Sequence, residues 1–114
     1  MNMRDRKILL TILEDINDID EALDKFKCKD LEAFLSDRLL QKCVVMSLIN
    51  ISEAVGELNR DFKTEHNKIN WKQFKKLRNI AAHKYGSVNF VVVWNIIKKN
   101  ISDFQQAVER LLEI

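Results

Sequence analysis

Asn70-Trp71-Lys72-Gln73-Phe74-Lys75-Lys76-Leu77-Arg78-Asn79-Ile80-Ala81-Ala82-His83-Lys84-Tyr85-Gly86 is the stretch that decides the fold. Asn70 and Gln73 have the spacing of a capping box, so a short helix starts here. Trp71, Phe74, Leu77, Ile80 and Ala81 recur at helical spacing and form its inward face. Gly86 stops it. Arg78 and His83 stand five residues apart, followed by Lys84 and Tyr85. In an unbroken helix that spacing separates two side chains by about 140°. They converge on one phosphate only if the helix ends near Ala82.

Upstream, Ile8, Ile12, Ile16, Ile19, Leu23 and Phe26 recur at steps of three and four. This predicts an amphipathic helix from about Arg4 to Lys25. Lys27 to Lys29 is a short connection, and Asp30 is placed to cap a second helix from Leu31 to Phe62. Leu40, Val44, Leu48, Ile51, Val55, Leu58 and Phe62 make one stripe along that helix. Val45, Met46 and Ile49 widen the stripe, so the helix is expected to contact several neighbours or a second subunit. Gly56 inside it costs about 1 kcal/mol relative to alanine, and close helix packing is the expected reason for it. Residues 63–69 read as a loop with a solvated His66.

Downstream, Ser87 or Asn89 is placed to cap a last helix carrying Val91, Trp94, Ile97, Ile101, Phe104, Val108 and Leu111. Ser102 and Gln105 match a second capping box, which predicts an interruption near Asn100. With no proline and only two glycines in 114 residues, turns are scarce and long helices are favoured. The expectation is an all-α bundle of four or five helices forming a single domain over residues 1–114.

The formal net charge of +2 excludes a polycationic nucleic-acid coat. Any RNA contact must come from a local cluster, and Lys72, Lys75, Lys76, Arg78, His83 and Lys84 form one. Cys28 and Cys43 lack metal-ligand spacing and are expected to be reduced, with Cys43 packed as a small hydrophobe. No signal peptide, membrane span, metal site or cofactor motif is legible, and the chain reads as cytoplasmic. Arg78 brings a fixed charge, and His83 a side chain that titrates near neutrality. Tyr85 adds a hydroxyl and a stacking surface. This is the minimum set for cleaving RNA without a metal. The same residues also suit a binding module that holds phosphate without cutting, or a structural dimerisation domain in which Arg78 forms an interface ion pair. Glu53 is either a solvated helix residue or a partner for Arg78; Glu57 and Asp61 read as surface charges.

Residues 69–85 resemble the signature of the HepT-like branch of the HEPN superfamily, which carries Arg-x4-His-x-Tyr after a short tryptophan-containing helix. Asn79 matches the polar residue that often follows the arginine, and Trp94 matches a tryptophan in the last helix. Ile51-Ser52-Glu53-Ala54 resembles the family's Ile-Gly-Glu-Ala, with Ser52 in place of glycine. The family's frequent prolines, before the tryptophan and in the last helix, are absent. The resemblance covers nearly the whole chain and is most specific over residues 69–95. It implies a HEPN-like, two-fold homodimer in which two motifs form one composite site. It further implies a metal-independent ribonuclease toxin of a type VII-like toxin–antitoxin pair, acting on mRNA or tRNA. Arg78 and His83 would be catalytic, supported by Asn79, Lys84 and Tyr85. The implied partner is a minimal nucleotidyltransferase antitoxin that silences the toxin by adenylylating Tyr85. A noncatalytic subunit of a two-component nucleotidyltransferase is the alternative.

Overall fold

Asn2 opens the first helix: its side-chain oxygen accepts the Asp5 amide at 2.7 Å, an N-cap of the usual kind. The computed structural model describes residues 1–75, 77 and 87–113. Helix α1 spans Met3–Lys25 and buries Leu9, Ile12, Ile16 and Ile19. Each such side chain contributes about 1.5–3 kcal/mol relative to exposure. Phe26 lies past the helix end and is exposed rather than inward-facing. The chain then turns through Lys27, whose φ of 54° is left-handed.

The single helix expected from Leu31 to Phe62 is three helices: α2 (Leu31–Leu35), α3 (Arg38–Glu57) and α4 (Arg60–Glu65). The apolar stripe is continuous through both breaks, because Leu40, Val44, Leu48, Ile51, Val55, Leu58 and Phe62 are all buried. What breaks the helix is side-chain competition for backbone groups. The Ser36 hydroxyl donates back to the Glu32 and Ala33 carbonyls. Asp37 then caps α3 by accepting the Leu40 amide at 3.0 Å. Gln41 donates to the Phe34 and Leu35 carbonyls at 2.9 and 3.1 Å, closing the end of α2. At the second break Leu58 is extended, with ψ 144°. The Asn59 amide leaves the helical ladder and donates to Asp5 Oδ1 at 3.1 Å. Asp30 caps α2 as expected, accepting the Ala33 amide at 2.9 Å.

Several local expectations are corrected. Gly56 is exposed, so close packing does not explain it. Cys43 is exposed as well, while Cys28 is half-buried; both are free thiols. His66 is half-buried at the end of α4, its ring 4.7 Å from that of Phe62.

Asn89 caps α5 (Phe90–Asn95), accepting the Val91 and Val92 amides. A π turn, Ile96–Asn100, leads without a break into α6 (Ile101–Leu112). The interruption near Asn100 is therefore a wider turn, not a cap: Asn100 is helical and its side chain caps nothing. Val93, Ile97, Ile101, Phe104, Val108 and Leu112 are the buried set. Val91 lies six residues before Ile97, about 120° away around a helix, and is 41% exposed.

α1 lies along α3, with α6 against α1 and α2 between α3 and α5. Among the described residues the fold is all-helical, with no strand. By composition α3 is long and apolar enough to cross a bilayer. Its stripe is instead buried in the core shared with α1, as befits the central helix of a bundle.

Candidate active site and its supports

Arg78, Asn79, His83, Lys84 and Tyr85 lie outside the described residues, as do Ile80, Ala81 and Lys76. The two flanks of the motif are described, and each is fixed by specific contacts. On the upstream side, Gln73, Phe74, Lys75 and Leu77 are helical, with Phe74 and Leu77 buried. The capping box forms only in part: Gln73 reaches back, but its Nε2 donates to the Asn70 carbonyl at 2.8 Å rather than pairing with the Asn70 amide.

Three elements hold this flank. Ser52 of α3 donates a buried 2.7 Å hydrogen bond to the Phe74 carbonyl. Trp71 donates from Nε1 to the His66 carbonyl at 3.1 Å. Asn100, at the end of the π turn, donates to Gln73 Oε1 at 3.4 Å. The Phe74 ring lies 4.6 Å from Phe104, and Trp71 meets Phe104 edge-on at 5.9 Å. π turns within α-helices are frequent at functional sites, and here one reaches the segment that leads to Arg78.

On the downstream side, Phe34 gathers the start of the last helix. Its ring lies 6.2 Å from Phe90 and 5.4 Å from Trp94. Lys98 Nζ stands 5.0 Å over the Trp94 ring, a cation–π contact worth about 0.5–1 kcal/mol when exposed. A cleft of about 630 Å³ is lined from both flanks: Lys72, Gln73 and Leu77 on one side, Ser87, Asn89 and Val92 on the other. The two ends of the motif segment thus open on one concave surface with an apolar floor and a polar rim. Among the described residues no group of three His, Cys, Asp or Glu side chains has metal-holding geometry. Glu53, Glu57 and Asp61 are exposed.

The motif and both flanking tryptophans are legible in the sequence, whereas the roles of Ser52 and Asn100 are not. Ser52 carried a signal, since it stands where a resembling pattern has glycine. Asn100 carried one too, but it read as a boundary rather than a link.

A family model described as "Ribonuclease HepT-like" matches residues 9–111. The chain is 33% identical over 110 residues to "Putative RNase MJ1380" of Methanocaldococcus jannaschii, covering 96% of this chain and 98% of that one. It is 32% identical over 100 residues to "Probable ribonuclease HepT" of Thermococcus cleftensis, covering 87% of this chain and 91% of that one. No solved structure matches. A match over residues 9–111 takes in the whole motif, the helices that hold its flanks and nearly all of the core; the chain belongs to the HepT-like ribonuclease family, a toxin–antitoxin family of HEPN-domain enzymes that cleave RNA.

Proposed function

We propose that the chain is a metal-independent endoribonuclease toxin that acts in the cytoplasm as a two-fold homodimer, with Arg78 and His83 of both copies forming one site. The observation that carries this reading is the intact Arg78-x4-His83-x-Tyr85 motif inside a family match over residues 9–111. His83 of one copy takes the proton of the ribose 2′-hydroxyl, which attacks the adjacent phosphorus. His83 of the other copy protonates the departing 5′-oxygen, so the P–O5′ bond breaks and a cyclic phosphate remains. Arg78 donates to the phosphorane oxygens, where guanidinium geometry suits two-point contact. Asn79 orients the phosphate, Lys84 adds local attraction, and Tyr85 stacks on a base.

Apolar surface available to a second copy supports the dimer. Leu39 and Met46, seven residues apart on α3, are 61% and 58% exposed, and Val92 beside the cleft is 51% exposed. A minimal nucleotidyltransferase antitoxin would silence the enzyme by adenylylating Tyr85, placing a phosphate-bearing group where the RNA phosphate binds.

Expressing wild type and His83→Ala without a partner, and following growth and RNA integrity, tests this reading. Wild type should arrest growth and fragment mRNA or tRNA. His83→Ala should lose about a hundredfold or more of the cleavage rate while remaining dimeric. Two folded dimers that neither arrest growth nor cut RNA would make this a binding subunit instead.

A further inference from the structure

The flank that leads into Arg78 has a second, more strongly charged face. Between the end of α3, α4 and the chain from Lys68 to Lys75 lies an open cleft of about 780 Å³. Arg60, Lys63, Lys68, Lys72 and Lys75 line it, and among the described residues no carboxylate does. In a chain with 19 basic and 17 acidic side chains, such one-signed gathering needs a reason, because like charges held close repel. Packing is not that reason for Arg60, Lys68, Lys72 and Lys75, which are all exposed. Lys63 is different. It is half-buried, and its Nζ donates to the Val55 carbonyl at 3.2 Å, where the end of α3 favours a cation. An ammonium has three donors, so two remain for a ligand.

Trp71 forms part of the same wall. Its indole N–H is occupied by the His66 carbonyl and its ring packs against Phe104, so the indole is held in place. A fixed aromatic in a cationic cleft is the combination that grips single-stranded nucleic acid: charges follow the phosphates and the ring takes a base. A flat anionic membrane surface would not need a concave cleft. In the sequence, Phe74 and Lys75, both in its lining, precede Arg78 by four and three residues.

We propose that this cleft binds the phosphodiester backbone of the single-stranded RNA that the Arg78/His83 motif cuts. This rests on the motif being an RNA-cleaving site, and the two ideas can fail separately.

The test uses the full chain carrying His83→Ala, so that RNA binds without being cut. A fluorescent single-stranded RNA is titrated at several salt concentrations. Each phosphate contact on a single strand contributes about 0.7 to the slope of log affinity against log salt. The triple variant Arg60→Gln, Lys68→Gln, Lys72→Gln should therefore lower the slope by about 2. Its affinity at 0.1 M salt should fall by about a hundredfold, with little change at 1 M. A control triple, Lys7→Gln, Lys25→Gln, Lys42→Gln, changes net charge equally at residues that line neither cleft. It should leave the slope nearly unaltered, and both triples should melt like the parent.

An unchanged slope in the cleft triple overturns the proposal, as does an equal drop in both triples. Retained RNA slope with lost binding of the antitoxin would assign the cleft to a protein partner and also overturns it. Cleavage by the His83 protein is scored separately. If it cuts RNA while the cleft triple keeps its slope, the cleft reading fails and the catalytic one stands. If it does not cut while the slope still drops, the reverse holds.

Discussion

The Ser52 hydroxyl donates a 2.7 Å hydrogen bond to the carbonyl of Phe74, 22 residues further along the chain. Ser52 is 1% exposed and Phe74 2%, so neither group has water as an alternative partner. This bond joins the central helix to the segment that enters the Arg78 motif four residues later. Ser52→Ala leaves a buried acceptor short of a donor and should cost about 1–3 kcal/mol. Urea unfolding would show this as a lower midpoint at unchanged slope. Ser52→Gly should cost roughly 1 kcal/mol more, because glycine is unfavourable inside a helix. A midpoint that does not move in Ser52→Ala would show that the bond contributes nothing to stability.

Asp5 and Asn59 form a further long-range tether. Asp5 is 2% exposed, and its Oδ1 accepts the Asn59 amide at 3.1 Å from 54 residues away. The bond pins the start of α1 to the gap between α3 and α4. Asp5→Ala should destabilise by about 1–3 kcal/mol and speed hydrogen exchange at the Asn59 amide. Asp5→Asn keeps an oxygen in place and should lose less. Equal losses in the two variants would mean that the carboxylate charge, not the acceptor, is what matters there.

These tethers explain which parts of the fold were legible in the sequence. Periodicity reports which side chains face inward, and the stripe from Leu40 to Phe62 was right at every position. It cannot report whether the backbone stays helical, because Leu58 continues the stripe while being extended. The local signals for both breaks were present: Ser36-Asp37 and Asn59 are capping residues. They were outweighed by an apolar pattern that continues through them. The partners that stabilise the second break, Asp5 and Asn59, are too far apart in sequence for any local rule to connect. The motif stands out in the sequence by residue type and spacing, and Arg78, His83 and Tyr85 themselves lie outside the described residues. Its supports do not stand out, because Ser52 and Asn100 act across the bundle through one side-chain hydrogen bond each.

Asp15 gives a pH-dependent prediction. Partial burial raises its carboxyl above its ordinary value, with the Asn50 side chain opposing and Asp18 and Glu14 adding to the effect. A carboxyl whose folded pKa is raised binds its proton more tightly folded than unfolded. The fold is therefore penalised once pH rises through that value, and the penalty disappears below the unfolded pKa. Asp15→Asn removes the charge and leaves an amide able to meet Asn50. It should raise the melting temperature slightly at pH 7 and make no difference in acid below the ordinary carboxylate range. A gain that persists unchanged at low pH would trace to packing instead.

The silencing step makes a prediction that separates chemistry from occlusion. Under the proposed function, the antitoxin transfers an adenylyl group from ATP to the Tyr85 phenol oxygen and releases pyrophosphate. The bulky phosphodiester then competes for the cationic site that would hold the RNA phosphate. Tyr85→Phe removes the accepting oxygen while keeping the ring that stacks on a base. Incubated with the nucleotidyltransferase and ATP, the wild-type chain should gain adenylyl mass and stop cutting RNA. Tyr85→Phe should gain none and continue to cut at a rate within a few-fold of the unmodified enzyme. Mass spectrometry and a cleavage assay on the same samples read both quantities. If Tyr85→Phe is silenced as fully as wild type without gaining mass, the antitoxin works by covering the site. Tyr85 would then keep only its contact with RNA. Omitting ATP settles the same point from the other side, because occlusion survives its removal and transfer does not.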